Sequence, residues 1–356
     1  MSGGMAEEWR NDPESFYILD SNMSACESVS GSAQSLYLAL IESKIGQGVL
    51  SPLMAKMVSD FYSQAAAVSI ENSPSIDGPY VLANETVLMW DAIYTAAGVS
   101  VNILYKYVNL EQWYNSCLGP ALSSFHTTRQ TTSYLPILRR RIIWLLGCYA
   151  YQLSAVTNVL PALAPFFTDS GSPSRNDVSV ELTAAQTFLS VLYEPTFDMI
   201  FLIAQASPLV TSLYRLLSGC DDLDCRRMIM SLVALIISYS GSSITDETAN
   251  ATVAPLLDIW ENAGEQNLLR KEVLSILSHV AAAVGSDRSA LLHSTVGPMI
   301  DFSLNPANKL ECIYLVEDAL ALWLSILRMA NTYNTTLEGL FQRALDVVEQ
   351  DLEHLR

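Results

Sequence analysis

Few side chains in this 356-residue sequence are spaced to do chemistry. The most suggestive run is Cys220-Asp-Asp-Leu-Asp-Cys225, two thiols with three carboxylates between and beside them. Zinc needs its cysteines in closer pairs, with a second pair of ligands elsewhere, and neither is present. Asp222 and Asp224 imitate the start of a calcium loop, but Arg227 stands where the turn glycine belongs. The run therefore predicts a turn that opens a helix. Glu317-Asp318 is an adjacent acid pair inside an apolar helical stretch, and its position predicts a contact with a neighbouring repeat. The four histidines, His126, His279, His293 and His354, form no HExxH pair and lie at no metal-ligand spacing from a cysteine. No GxxxxGK, GxGxxG or GxSxG motif occurs. Cofactors and metals are expected to be none, and the chain is expected to bind rather than catalyse.

Charge and hydropathy narrow the class. Asp and Glu number 37 against 19 Lys and Arg, a formal charge of −18. Nucleic-acid grooves need a basic face, so nucleic acid is not an expected partner. An acidic surface favours solubility and attraction to basic partners. Mean hydropathy is high, +0.26, with 50% hydrophobic residues. The most apolar runs, Ile142 to Leu153, Met228 to Ile237 and Ala319 to Leu327, fall short of the ~18–20 apolar residues a spanning helix needs. No membrane insertion is expected. The first residues show no basic region followed by an apolar one, so no secretory signal is predicted. Six scattered cysteines, mostly in apolar helical stretches, read as reduced core thiols.

The elements that must position these residues are helices. Residues 1 to 30 carry six acids among Ser and Gly and predict a loose, largely disordered acidic lead-in, although Trp9, Phe16 and Tyr17 suggest local packing. Residues 31 to 356 predict about seven helix pairs. Their spans are 32–44 with 48–67, 87–107 with 110–124, 136–154 with 155–167, and 180–192 with 197–217. Then come 224–239 with 247–262, 268–284 with 289–304, and 310–329 with 336–355. Asn84 and Asn109 are candidate caps, and Pro208 should kink or break its helix. The stretch from Pro136 is apolar nearly all round through Ile142, Ile143, Trp144, Leu145 and Leu146, so it must be covered on most sides. Centres near Asp91, Arg141, Ala184, Arg227, Lys271 and Asp318 recur about every 43 to 50 residues. That period predicts an all-α fold, an α-α superhelix of the HEAT/armadillo-like solenoid kind.

Several first helices begin with basic residues: Arg139-Arg140-Arg141, Arg226-Arg227 and Arg270-Lys271. Positive charge at a helix N-terminus opposes the helix dipole. Carboxylates of the next repeat are expected to hold these cations, forming an inter-repeat ladder. Trp90, Trp144 and Trp323 recur in first helices and read as core.

Four stretches resemble the importin-β superfamily of nuclear transport receptors, in its importin-11 branch. They are Glu7-Glu-Trp-Arg-Asn-Asp-Pro-Glu-Ser-Phe16, then Asp91-Ala-Ile-Tyr-Thr-Ala-Ala-Gly98 with Leu110-Glu-Gln-Trp-Tyr114. Leu138-Arg-Arg-Arg-Ile-Ile-Trp-Leu-Leu-Gly147 and Tyr314-Leu-Val-Glu-Asp-Ala-Leu-Ala-Leu-Trp-Leu324 complete the set. They occur in the family's order. Cys148-Tyr149 stands where members often have Gln-Trp, and Val180-Glu181 where they tend to have Val-Arg. The resemblance implies a nuclear import receptor that shuttles between nucleus and cytoplasm across the nuclear envelope. It implies protein cargo, the Ran GTPase and Phe-Gly nucleoporins as partners. The family's N-terminal Ran-gripping repeats have no counterpart here, so a central to C-terminal fragment of such a receptor is expected. Periodicity alone also fits a cytosolic HEAT scaffold of the phosphatase-adaptor type. Cargo is expected against the second-helix face. There Asp258, Glu261 and Glu265 in one pair, and Asp346, Glu349 and Glu353 in another, are the candidate contacts for basic segments.

Overall fold

A computed structural model describes residues 9, 11–21, 29–71, 84–122, 135–153, 159–168, 178–194, 196–330, 338–345 and 347. Among the described residues every regular element is helical, and no strand occurs. The chain divides into two compact units, Met1–Asp198 and Met199–Arg356.

In the N-terminal unit the long helices are α1 (Pro13–Ser21), α2 (Val29–Glu42), α3 (Lys44–Glu71), α4 (Asn84–Val99), α5 (Leu135–Cys148) and α6 (Val178–Leu192). Helix α2 packs on α4, α4 on α5, and α5 on α6, so the first helices of successive hairpins stack in chain order. Helix α5 is the interior member. Its Leu138, Ile142, Ile143, Leu145 and Leu146 are buried, and Trp144 fills the side toward α4. The second helices of the two hairpins after α3 are short. Leu110–Trp113 starts at Asn109, whose side chain accepts from the Gln112 amide at 3.0 Å, as a cap should. A π-helical turn, Tyr114–Leu118, follows it. The partner of α5 is broken into Val159–Leu163 and Pro165–Thr168, with Phe166 and Phe167 buried.

The stretch expected to be a loose lead-in is partly built into this unit. Helix α1 packs against α6, and Phe16 and Tyr17 are buried. Asp12 caps it, accepting from the Ser15 amide at 3.0 Å and the Ser15 hydroxyl at 2.6 Å. Aromatic side chains dense enough to bury overcame the acidic composition.

The C-terminal unit contains α7 (Met199–Ser218), α8 (Leu223–Ser240), α9 (Asp246–Val253), α10 (Leu256–Asn262), α11 (Asn267–Val284), α12 (Ser286–Leu304) and α13 (Lys309–Met329). Helix α8 packs on α11, and α11 on α13. Asp222 caps α8 by accepting from the Cys225 amide at 2.9 Å, so the Cys-Asp-Asp-Leu-Asp-Cys run is the helix-opening turn its spacing predicts. Gly241 and Gly285 end α8 and α11 at φ 46° and 70°, where a side chain would be strained.

Two prolines behave oppositely. Pro208 lies inside α7, which runs through it without the break that was one of the two expected outcomes. Pro208 has no N–H to give Ala204, but both residues are exposed, so solvent can satisfy that carbonyl. Leu202, Ala206, Leu209 and Val210 anchor the helix on either side. Pro255 splits the predicted 247–262 helix into α9 and α10. Helix α7 is also long and apolar enough to cross a membrane by length and composition, which the apolar runs read from sequence did not include. It packs on α8 and α9, and the Tyr214 hydroxyl donates to the Thr252 carbonyl at 2.9 Å.

Candidate protein-binding surface

The basic residues at the helix starts form contacts between helices, but in the N-terminal unit their carboxylates lie on earlier helices rather than on the next repeat. In the N-terminal unit Arg139, Arg140 and Arg141 are all buried. Arg141 donates from Nε to Asp91 Oδ1 at 2.7 Å, across α5 and α4. Arg140 donates to Asp20 Oδ2 at 2.5 Å, and Arg141 lies 3.5 Å from the same oxygen. Three rings of the N-terminal segment surround the Arg140 guanidinium: Phe16 at 5.1 Å, Trp9 at 5.8 Å and Tyr17 at 5.9 Å. Arg139 lies 6.0 Å from the Phe166 ring and Arg141 4.9 Å from Trp144. Burial works to raise the Asp20 carboxyl, but Arg141 and Arg140 outweigh it and hold it below its ordinary value. A cavity of about 280 Å³ opens beside this cluster, lined by Asp20, Tyr37, Asp91, Thr95 and Arg141 among others.

The C-terminal unit repeats the arrangement more loosely. Arg227 of α8 lies 3.7 Å from Glu272 of α11, and Lys271 of α11 lies 3.5 Å from Asp318 of α13. Asp318 thus makes the inter-repeat contact expected of the acid pair, while Glu317 is exposed. Arg270 is stacked over Phe302 at 4.9 Å and Trp260 at 5.4 Å. On the second helices, Arg343 reaches Asp301 at 3.0 Å and Ser207 donates to Glu247 at 3.0 Å.

Of the six candidate cargo contacts, three are described. Asp258 and Glu261 are exposed on α10, three residues apart, and Glu265 is exposed just beyond its end. None of the three makes an ion pair among the described residues. Asn262 donates to the Asp258 backbone carbonyl at 2.8 Å, leaving the carboxylate to solvent. Asp346, Glu349 and Glu353 lie outside the described residues. Sequence reasoning missed Asp20 and the aromatic cage on Arg140. The density of Trp9, Phe16 and Tyr17 was the available signal, but nothing in the spacing linked them to a partner 120 residues away.

Little here suits covalent chemistry. Burial pushes the Cys148 thiol up to about 12, so it is not a thiolate at neutral pH. Burial likewise raises Cys117 and Tyr94, whose groups lie 3.9 Å apart. Among the described residues no cluster of three His, Cys, Asp or Glu could hold a metal ion.

The comparisons with known proteins agree on one kind of relative. A family described as "Importin-11-like, TPR repeats" matches residues 271–356. Human importin-11 is 25% identical over 305 residues, covering 85% of this chain and 30% of the relative. The chain resembles importin-11. Mouse importin-11 matches at the same identity and coverage. The solved structure of Lph2, a bidirectional nuclear transport receptor in S. cerevisiae, superimposes with a TM-score of 0.79 and 18% identity. That match covers all of this chain and 34% of Lph2. At that identity the match shows the fold alone, an all-α helical solenoid. The chain spans about a third or less of the length of each of these relatives. TPR and HEAT repeats are both helix-turn-helix units that stack, so the family's description and the period read from the sequence concern the same architecture.

Proposed function

We propose that this chain is a protein-binding segment of a nuclear import receptor, a karyopherin, that carries cargo between cytoplasm and nucleus under control of the Ran GTPase. The observation that carries this reading is the 305-residue similarity to importin-11. The Leu138-Arg-Arg-Arg run within it contains three buried cations, of which Arg140 and Arg141 pair with Asp20 and Asp91. The residues most specific to the resemblance are therefore structural. Binding belongs to what the ladder leaves outside.

The cargo surface we assign is the exposed acidic edge of Asp258, Glu261 and Glu265, continued in sequence by Asp346, Glu349 and Glu353. A chain of net charge −18 attracts basic segments, and exposed acids raise the association rate more than the final affinity. Contact with Phe-Gly nucleoporins, and residence in both nucleus and cytoplasm, accompany the receptor role.

The test is binding of basic protein segments to the purified chain, with and without GTP-loaded Ran. Reversal of Asp258, Glu261 and Glu265 to Lys should weaken binding at low salt and flatten its salt dependence. Unchanged binding would reject this edge. Bound protein indifferent to GTP-loaded Ran would reject Ran control by this segment.

A further inference from the structure

The cavity of about 280 Å³ beside the buried arginines lies within the N-terminal unit, between the first helices of successive hairpins. Helix α2 supplies one wall through Ala33 and Tyr37, and α4 the other through Ala92 and Ala96. Ala33 and Ala92 are exposed, whereas the side chains of Asp20, Asp91 and Arg141 are only 6–8% exposed. The alanines therefore mark the mouth and the charged groups the floor. The volume is just under the ~300–1,000 Å³ of small-ligand pockets, so it suits one side chain better than a cofactor.

Most polar groups around the cavity are already engaged. Tyr37 Oη meets Ser100 Oγ at 3.0 Å, the Thr95 hydroxyl donates to the Asp91 carbonyl at 2.6 Å, and Gln34 Nε2 donates to Ser30 Oγ at 3.4 Å. On the floor Arg141 spends Nε on Asp91 Oδ1 and Nη2 on Asp20 Oδ2, which also takes Arg140. Among the described residues Arg141 Nη1 and Asp20 Oδ1 have no hydrogen-bond partner. Neither atom is fully buried, and both residues line the cavity. Burial raises the Asp20 carboxyl, but Arg141 and Arg140 outweigh it, so it is ionised at neutral pH and can only accept. The cavity thus ends in one open donor and one open acceptor on adjoining groups.

Charge limits the occupant. Two carboxylates, Asp20 and Asp91, face two guanidiniums, Arg140 and Arg141, so the cluster is balanced. A further cation would be buried against the guanidiniums and a further anion against the carboxylates, and either leaves an uncompensated charge. A neutral group with a donor and an acceptor on neighbouring atoms satisfies both open positions at once. We propose that this cavity binds a primary carboxamide, the end of an asparagine or glutamine side chain on a protein segment. Its NH2 donates to Asp20 Oδ1, its carbonyl accepts from Arg141 Nη1, and its stem lies along Ala33, Ala92 and Ala96. The charged lining residues are all on the floor, so nothing at the mouth would hold the ammonium and carboxylate of a free amino acid. The site is separate from the acidic edge at α10 and does not rest on the receptor reading.

The test is magnetic resonance on the full chain with labelled alanine methyls, titrated with three probes of one shape: butyramide, butyrate and butyramidinium. Butyramide should shift the Ala33, Ala92 and Ala96 methyls saturably. Its anionic and cationic counterparts should bind about tenfold or more weakly, because each pairs one floor group and opposes the other. Ala33→Leu, at the exposed mouth, should abolish the shifts at Ala92 and Ala96. Circular dichroism checks folding, and Ala92→Leu, read at Ala33 and Ala96, serves if that variant unfolds. N-acetylglutamine N-methylamide, which presents the side chain as a protein does, should bind more tightly than free glutamine. The absence of a saturable butyramide shift would overturn the proposal. So would equal binding of the charged probes, shifts that survive the blocked mouth, or a preference for free glutamine.

Discussion

Arg140 and Arg141 meet their main carboxylates at 2.5 and 2.7 Å, and their side chains and those of Asp20 and Asp91 are 2–8% exposed. In the C-terminal unit the equivalent pairs stand at 3.5–3.7 Å, and Arg227 and Lys271 are 36% and 44% exposed. A cation near the start of a first helix, held by a carboxylate on another helix, is thus built drier in one unit and wetter in the other. Burial makes the difference energetic. A buried pair contributes little net, because desolvation offsets attraction, but removing one partner strands the other. A solvated pair is nearly dispensable.

The largest effect should therefore come from breaking the dry ladder. Asp91→Ala leaves Arg141 without its nearest carboxylate and should cost about 3–5 kcal/mol in denaturant unfolding. Asp91→Leu together with Arg141→Leu should be less harmful than either change alone, because the apolar pair strands no charge. A double variant as unstable as the sum of its singles would show that the two residues are not coupled, so that removing one strands nothing.

Packing beside the dry ladder is next. A Cβ on Gly98 would collide with the Trp144 ring at Cζ3 and Cη2. Trp144 also lies against the Arg141 guanidinium. Gly98→Ala should destabilise by about 1–3 kcal/mol, although alanine ordinarily improves a helix interior by up to about 1 kcal/mol. A gain in stability would mean that the indole moves aside at no cost.

How much of this was legible beforehand divides along the same line. Helix pairs could be read because apolar residues recur at helical steps, and first-helix centres recur at one repeat length. The ladder could be read because bases at helix starts demand partners. What could not be read was distance along the chain. Asp20 is 120 residues from Arg140, and no periodicity connects an N-terminal helix to a hairpin beyond its neighbours. Nor does sequence tell Pro208 from Pro255. The first leaves an exposed carbonyl for solvent, and the second sits where the chain turns between α9 and α10. Of the acidic edge, the sequence supplied the residues and the structure their exposure on α10, but spacing does not say what docks there.

The two ladders should also answer pH with opposite signs. Asp20 is held below its ordinary value, so its contribution is complete above the unfolded carboxylate value of about 3.9 and is lost as pH falls through its lower folded value. Burial raises Glu272 above its ordinary value, outweighing Ser231 and Arg227. The ion pair with Arg227, at 3.7 Å, is too long to reverse that. The folded chain then binds that proton more tightly than the unfolded chain, so acidification through the interval above about 4.3 favours the folded C-terminal unit. Hydrogen exchange of α5 and α11 amides, followed down to about pH 3, reports each unit separately. Protection in α5 should fall at the acid end, and Asp20→Asn should flatten that fall. Glu272→Gln should remove the opposite trend in α11.

The smallest expected effect is the sharpest check on the comparison. Lys271→Ala removes a half-exposed ammonium 3.5 Å from Asp318, whose own side chain is 21% exposed. The ammonium is nearly half in water, and the Asp318 side chain keeps part of its surface exposed although the Oδ2 that faces Lys271 is buried, so the carboxylate left behind is only partly stranded. The loss should be within about 1 kcal/mol and should shrink with added salt. A loss matching that of Asp91→Ala would mean that position in the repeat, rather than burial, sets the value of a rung. The contrast between the units would then concern exposure alone and not energy.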